Sequence, residues 1–278
     1  MAIVAQTSRF WSVGRPALAW IVALLFFFPI FWLVLTSFKT DADAVKPEHL
    51  IFFTPTLENY VNMTENYDYW RFAKNSVVIT VFATLLTLIV SIPAAYSMAF
   101  NPTRATKDVL MWMLSTKMLP AAAVLYPMTF LTKNMLGLFD THFLLIIVLT
   151  LINMPIVIWM LFSYFKEIPK DIIEAGKMDG VNTWGEIKEI LIPLAWGGIA
   201  STALLCFIFC WNEAYWTVRL TTTDAATLSK LIEGNRAPEG LFFGRLSAVS
   251  TAAVGPIVVL GWFCQKQLVQ GLTFGAVK

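Results

Sequence analysis

The chain has 278 residues, of which 58% are hydrophobic and only 14% are charged, and its mean hydropathy is +0.68. Soluble domains carry about 25% charged residues, so this composition excludes a single water-soluble globule and indicates a polytopic membrane protein. The net charge of +2 indicates no basic surface for nucleic acid, and we expect no nucleic-acid partner.

Six apolar segments follow one another, each long enough at about 1.5 Å per residue to cross a hydrocarbon core of about 30 Å. They are residues 17–38, 76–100, 109–131, 142–165, 195–217 and 247–268. The first segment is longer than the apolar region of a signal peptide, so we expect it to be retained. The sequence therefore predicts an all-α protein with six transmembrane helices, forming one transmembrane domain over residues 1–278.

An even number of spans puts both termini on the same side of the membrane. If that side is cytoplasmic, ten of the 20 Lys and Arg residues lie inside and nine lie outside, and this bias alone does not decide the orientation. With cytoplasmic termini, residues 39–75 and 218–246 form long periplasmic loops and residues 166–193 form a cytoplasmic loop. The periplasmic loops are either functional or plain solvated connectors.

Cysteine and histidine give no sign of a catalytic or metal site. Cys206 and Cys210 lie one helical turn apart in an apolar segment, so we expect small core residues rather than a disulfide. His49 and His142 are the only histidines, and they lack the spacing of metal ligands. We therefore expect no metal, and a membrane enzyme is a weak alternative.

The cytoplasmic loop contains two short helical patterns. Pro169 suits the first turn of a helix, and the small residues Ala175 and Gly176 would let a partner backbone approach closely. Asp179 and Gly180 form a turn signal. The pattern predicts two short helices joined by a tight turn and lying across the membrane face.

The second of these helices has its own start and stop signals. Thr183 and Glu186 have the spacing of a capping box, and Pro193 is expected to end the helix. This pattern by itself fits a docking surface and an interfacial amphipathic helix without a partner equally well.

The loop resembles the cytoplasmic signature of bacterial ABC-importer permeases, which is Glu-Ala-Ala, three residues, Gly, nine residues, Ile, one residue and Leu-Pro. The chain has the same spacing, with Gly176 in place of Ala and Ile192 in place of Leu. By this resemblance, coupling to an ATPase is assigned to Glu174, Ala175, Gly176, Asp179, Gly180, Ile190 and Pro193.

Other segments resemble the carbohydrate permeases of that family. These are residues 31–39, 55–60, 211–213 and 267–278, the last of which looks like the tail of the maltose-type smaller permease. Residues 115–120 and 210–216 look closest to mannitol/sorbitol permeases. The resemblance implies import of a sugar alcohol or monosaccharide, with a disaccharide or a sulfonated or acidic sugar as the alternative solute.

The resemblance also implies the partners and the energy source. The chain has no G-x-x-x-x-G-K-[ST] motif for ATP phosphates, so ATP and Mg are expected on a separate ATPase dimer, with no cofactor in this chain and no enzymatic activity of its own. The expected fold is that of a type I ABC importer permease in the bacterial inner membrane. A second permease, forming a heterodimer that works by alternating access, and a periplasmic solute-binding protein would complete the complex.

Polar residues within the predicted spans are candidates for the solute pathway, because such groups are costly in a membrane unless they are used. Lys117 lies in the third span, Asn153 lies near the middle of the fourth, and Asn212 and Glu213 lie near the outer end of the fifth. About 14 Å of helix rise is expected between Lys117 and Glu213, which argues against an ion pair. We expect Lys117 and Asn153 to face the cavity or the other permease, and Asn212 and Glu213 to lie near the outer gate.

Two alternatives remain open at this point. The four polar residues could simply make structural hydrogen bonds between helices. The whole chain could also be a secondary transporter, although that class needs an internal repeat and a site for a coupling ion, and neither is evident.

Overall fold

A computed structural model describes residues 9–236 and 242–265, and the secondary structure in these ranges is helical. The helices up to residue 165 are α1 (Arg9–Ser37), short turns at Asp41–Ala44 and Pro47–His49, α2 (Glu58–Glu65), α3 (Tyr69–Phe100), α4 (Thr106–Thr116), α5 (Ala121–Phe130) and α6 (His142–Phe165). The helices after residue 165 are α7 (Lys170–Met178), α8 (Thr183–Leu194), α9 (Trp196–Trp211), α10 (Tyr215–Leu220), α11 (Leu228–Gly234) and α12 (Phe243–Phe263).

Within the part of the chain that the structure describes, four helices are long and apolar enough to cross a membrane, namely Gly14–Ser37 within α1, α3, α6 and α12. The number rises to six if each of two sharply bent helix pairs is counted as one span. The fourth predicted span has the observed bounds of α6, whereas α3 and α12 begin earlier than the sequence predicts. The last residues of the sixth predicted span, 266–268, lie outside the described residues.

The third predicted span is not a straight helix. It consists of α4 and of α5 with its π-helical extension Leu131–Met135, and the two parts are bent by 84°. Pro120 has an extended backbone (φ −65°, ψ 121°) and begins α5 as its N-cap. A proline disfavours a helical conformation in the residue before it, which explains why the helix breaks here despite its apolar composition.

The fifth predicted span, residues 195–217, is also divided. Its helix α9 ends at Trp211, and the chain turns before the short helix α10 begins at Tyr215. At its other end α9 is bent by 86° relative to α8, with Ala195 at the corner. Hydropathy alone located the apolar segment correctly but did not predict these breaks.

The described residues form two compact units, one of residues 9–68 with 234–236 and 242–254, and the other of residues 69–233 with 255–265. In the first unit, Lys39 is buried, donates a hydrogen bond from Nζ to Leu50 O at 2.7 Å, and lies over the ring of Phe53. Asn59 Nδ2 donates to Lys39 O at 2.6 Å. These contacts hold the segment after α1 in a compact structure.

In the second unit, α3 and α6 pack against each other most extensively, and α9 packs on both. Ala83 of α3 and Leu145, Leu149 and Leu161 of α6 are fully buried at this contact. Gly198 of α9 allows an especially close approach, because a Cβ there would lie 2.6 Å from the ring of Tyr164. This three-helix core carries the two candidate sites described next.

Candidate functional site

The loop of residues 166–193 forms two helices that pack on each other and on the core. Pro169 is the N-cap of α7 rather than a residue of its first turn. Ile173 is buried, and so is Gly176, where a Cβ would lie 2.5 Å from Ile190 Cδ1 of α8. The prediction that Gly176 leaves room for a partner is therefore wrong, because the space above it is filled by Ile190.

The predicted turn between the two helices is present at Asp179 and Gly180. Gly180 has φ +79°, a left-handed conformation that glycine adopts without strain. Its N–H donates to Lys177 O at 3.1 Å, and Val181 N donates to Gly176 O at 3.0 Å. A Cβ at position 180 would have no atom within 4 Å, so this corner of the loop is open.

The second loop helix starts and ends differently from the prediction. Asn182, rather than Thr183, is the N-cap, and its Oδ1 accepts a hydrogen bond from Gly185 N at 2.8 Å. Glu186 does not complete a capping box, because its carboxylate is buried and accepts a hydrogen bond from Tyr96 OH. Pro193 does not end α8, since the helix continues to Leu194 after the π-helical stretch Glu186–Leu191.

One side of the loop is exposed. Of the residues predicted to couple to an ATPase, Gly176 is buried and Ile190 is partly buried, and the others are exposed: Glu174, Ala175, Asp179, Gly180 and Pro193. Two large apolar side chains extend this surface, Met178 at 88% exposure and Trp184 at 70%. The sequence alone did not show that these two apolar side chains are exposed, because an apolar residue in a short helical pattern can face either the core or the solvent.

A second candidate site is a cavity of about 420 Å³ where the third and fifth predicted spans are broken. It is lined by Lys117, Glu213 and Trp216, together with apolar residues of α5 and α6. An adjoining cavity of about 300 Å³ is lined by Lys117, Asn153, Asn212 and Glu213. The structure thus brings all four predicted polar residues together.

The assumption of straight helices behind the expected separation of Lys117 from Glu213 is wrong. Lys117 caps the end of α4 at the break and Glu213 follows the end of α9, so the depth of neither residue can be counted along a continuous span. They line the same cavity without forming an ion pair. Glu213 Oε1 instead accepts a hydrogen bond from Trp216 N at 3.1 Å.

Asn153, which lines the smaller of the two cavities, makes several contacts. Its Nδ2 donates to Leu149 O at 3.0 Å and to Cys210 Sγ at 3.3 Å, and its Oδ1 is 3.5 Å from Lys117 Nζ. Cys206 and Cys210 are both free and buried. The amide therefore makes interhelical hydrogen bonds, and it also positions the lysine at the cavity.

A third polar cluster, which sequence reasoning missed, surrounds Asp140 in the segment between α5 and α6. Its carboxylate accepts hydrogen bonds from Thr222 Oγ1 at 2.5 Å and from the N–H groups of Thr223, Asp224 and Ala225 at 2.8–3.1 Å. Burial by itself raises the pKa of Asp140, but these four hydrogen bonds outweigh it and hold the pKa well below its usual range.

The same loop is bound to the start of α3. Asn75 Nδ2 donates to Asp224 O and Ala226 O, both at 2.9 Å, and Ser76 Oγ accepts from Leu228 N at 2.8 Å. His142 Nε2 is 2.8 Å from Asn75 Oδ1, so the histidine is part of this network. Residues 222–228 are thereby fixed to the ends of α3 and α6.

The chain was compared with known proteins. Residues 91–272 match the family described as "Binding-protein-dependent transport system inner membrane component". A probable ABC transporter permease, y4oR of Sinorhizobium fredii, is 32% identical over the full length of both chains. The trehalose/maltose permease MalG of Thermococcus litoralis is 31% identical, covering 93% of this chain and 94% of its own, and the sulfoquinovosyl glycerol permease SmoH of Agrobacterium fabrum is 29% identical, covering 90% and 88%.

A solved structure of a bacterial ABC transporter that imports the acidic polysaccharide alginate contains a chain with the same fold. Its TM-score is 0.75 at 23% identity, covering 96% of this chain and 99% of that chain. The predicted ABC importer permease fold is confirmed. The chain belongs to the family of binding-protein-dependent inner-membrane permeases, and is a multi-pass inner-membrane protein that is not itself catalytic.

Proposed function

We propose that this chain is the permease subunit of an ATP-driven, binding-protein-dependent sugar importer. It would form a heterodimer with a second permease and work by alternating access, with its termini and the loop of residues 166–193 in the cytoplasm. An ATPase dimer carrying ATP and Mg would bind this loop, and a solute-binding protein would deliver the sugar from the periplasm.

The exposed surface of the loop is the observation that carries the proposal. Asp179, Gly180 and Met178 project from the end of α7, while Ile173 and Gly176 on the opposite side are buried. A short helix anchored on one side and open on the other is suited to bind a partner and to pass its movement on. The spacing of the loop residues matches that of ABC-importer permeases, which supports an ATPase as the partner.

The solute pathway would include Lys117, Asn153, Asn212 and Glu213. Lys117 is exposed at the surface of this chain, and a lysine facing lipid within an apolar span is costly. An orientation toward a water-filled pathway shared with the second permease removes that cost. The Lys117, Glu213 and Trp216 side chains at one cavity also offer the charged and aromatic groups that suit a sugar.

Substitution of Gly180 tests the docking role. Gly180→Leu places a bulky side chain on the open corner, and the left-handed backbone adds about 1–2 kcal/mol of strain. We expect binding-protein-stimulated ATPase activity and uptake to fall together by at least tenfold in the reconstituted complex. Persistence of both activities would show that the loop does not dock in this way.

The chain offers a matched control for backbone strain. Gly137 has φ +63° and also has no atom within 4 Å of a Cβ, but it lies between α5 and α6. Gly137→Leu therefore adds a similar strain outside the loop, and we expect the complex to retain its ATPase subunits and its basal ATPase activity. An equal loss in both variants would attribute the effect to strain.

The class of sugar is tested in the same complex by loading the binding protein with different solutes. Relatives named for trehalose/maltose and for sulfoquinovosyl glycerol favour a disaccharide or glycoside-like sugar, and they lend no support to a polyol. We expect trehalose, maltose or a sulfonated glycoside to stimulate the ATPase several-fold more than mannitol or sorbitol. Stimulation by the polyols alone would reverse this assignment.

A further inference from the structure

Glu186 is a buried carboxylate that the ABC-importer loop signature does not include. Its exposure is 2%, although it belongs to a polar loop, and it begins the π-helical stretch of α8. Its Oε2 accepts a hydrogen bond from the OH of Tyr96, which is also 2% exposed. Tyr96 lies about one turn before the end of α3 at Phe100, so the bond joins the loop to a membrane helix.

The same carboxylate also reaches the first helix of the loop. Lys177 Nζ, in the last turn of α7, is 4.0 Å from Glu186 Oε2. Lys177 is 44% exposed, so this ion pair contributes little to stability by itself. Its position matters more, because it connects the helix proposed to bind the ATPase, through one carboxylate, to the hydroxyl of α3.

The apolar contacts between these elements have a different physical character. Ile173 and the Gly176–Ile190 contact hold α7 against its neighbours by packing, which is non-directional. A hydrogen bond weakens steeply when its angle or length changes. The polar contacts therefore add a directional restraint on sliding of α7 and α8 along α3 to the restraint that packing provides.

Stability alone does not explain a buried carboxylate at this position. Removing a carboxylate from water is costly, and an apolar pair of similar volume is often at least as stable. Replacing both partners of a hydrogen bond with apolar groups is likewise close to neutral. A stabilising role of Glu186 is therefore distinguishable from a role in transmitting movement, because an apolar pair would replace only the first.

We propose that Tyr96, Glu186 and Lys177 form a polar link through which displacement of the loop reaches α3. Glu186 is its central positioning residue, since it alone contacts both of the others. The proposal rests on the proposed docking of an ATPase to the loop, and it adds the route by which that movement enters the membrane domain.

The test uses the reconstituted complex with Tyr96→Phe, with Glu186→Leu, and with both substitutions together. Each single variant breaks the Tyr96–Glu186 hydrogen bond and leaves the remaining buried group without it, so we expect reduced thermal stability. The double variant removes both groups and is expected to recover stability and to assemble with the ATPase. We expect the amount of sugar imported per ATP hydrolysed by the double variant to remain at least fivefold below the wild-type value.

Two further variants make the result specific. Glu186→Gln retains an acceptor for Tyr96 and is expected to keep most of the import ratio, whereas Tyr126→Phe removes a hydroxyl from an 80% exposed tyrosine and should leave it unchanged. If the double variant does not assemble, the comparison of Tyr96→Phe with Glu186→Gln decides, and a normal ratio in Tyr96→Phe overturns the link.

The outcomes separate this proposal from the proposed function. A double variant that imports with the wild-type ratio would show that the link only stabilises the fold, while docking at Gly180 would stand. A wild-type complex without binding-protein-stimulated ATPase activity would instead overturn the proposed function itself, and the link with it.

Discussion

At the scale of single residues, the Asp140 carboxylate accepts hydrogen bonds from Thr222 Oγ1 and from three consecutive backbone N–H groups. Asp140 has φ +61°, a left-handed conformation that aspartate tolerates better than most residues. This backbone conformation directs the Asp140 carboxylate toward the three consecutive backbone N–H groups of residues 223–225. Asp140 therefore holds residues 222–225 beside the start of α6.

The lowered pKa of Asp140 predicts how stability depends on pH. Because the folded pKa lies below the ordinary value of about 3.9, the ionised carboxylate contributes stability that is fully present above pH 3.9. The contribution is lost as the pH falls below that value toward the folded pKa. We expect Asp140→Asn to have a lower Tm than wild type at pH 7, and the difference to shrink as the pH falls below 4.

Thermal unfolding of the purified protein in detergent between pH 7 and pH 3 measures this difference. Asparagine also tolerates the left-handed conformation, so the variant changes the charge without adding strain. Asp108→Asn, at an exposed position in the first turn of α4, serves as the control and should show no comparable change. A Tm difference for Asp140→Asn that stays constant over this range would contradict the assignment.

The Asp140 and Glu186 contacts could not be predicted from the sequence for the same physical reason. Their partners lie far away along the chain, about 80 residues for Asp140 and 90 for Glu186. Spacing rules describe neighbours on one helix or turn, and within that reach they favoured a capping box for Glu186. The turn at Gly180 was predictable because it depends on local backbone conformation alone.

At the scale of helices, hydropathy predicted where the apolar segments lie but not whether they are continuous. The bounds of α6 were predicted closely because the helix continues through Pro155, although this residue has no N–H to donate to Leu151 O. The segment of residues 109–131 is also apolar enough to be predicted as one span, yet it is bent by 84° at Pro120. Transfer free energy measures burial in lipid, whereas helix continuity depends on backbone donors and dihedral angles.

The broken helices also explain why the cavity was only partly predicted. The four polar residues were identified from their cost in a membrane, which a sequence reveals. The distances between these residues were not predicted, because the sequence gives only the rise along a straight helix as a measure of separation. Both breaks occur beside these residues, after Thr116 and after Trp211, so the interruptions themselves bring Lys117 and Glu213 to one cavity.

At the scale of the whole molecule, orientation in the membrane is the property on which both proposals depend. The Lys and Arg residues assigned to the two sides of the membrane divide ten to nine, so they do not determine the orientation. The loop of residues 166–193 determines the proposed orientation, since an ATPase can bind it only from the cytoplasm. The topology is therefore an independent physical test of the proposed function.

Labelling of single cysteines with a membrane-impermeant maleimide provides this test. Met178→Cys and Phe52→Cys place a thiol at positions that are 88% and 85% exposed. They lie in the proposed cytoplasmic loop and in the proposed periplasmic loop of residues 39–75. We expect right-side-out vesicles to label position 52 and not position 178, and inverted vesicles to give the reverse, because a charged reagent does not cross the hydrocarbon core.

The native cysteines allow a clean background for this measurement. Cys206 and Cys210 are buried, and only Cys264 is partly exposed among the three, so Cys264→Ala is made in every variant and labelled without an added cysteine as the control. Adding the ATPase subunits to inverted vesicles should then slow labelling at position 178. Labelling of position 178 from the outside would place the loop away from ATP, and no ATPase could then drive import through it.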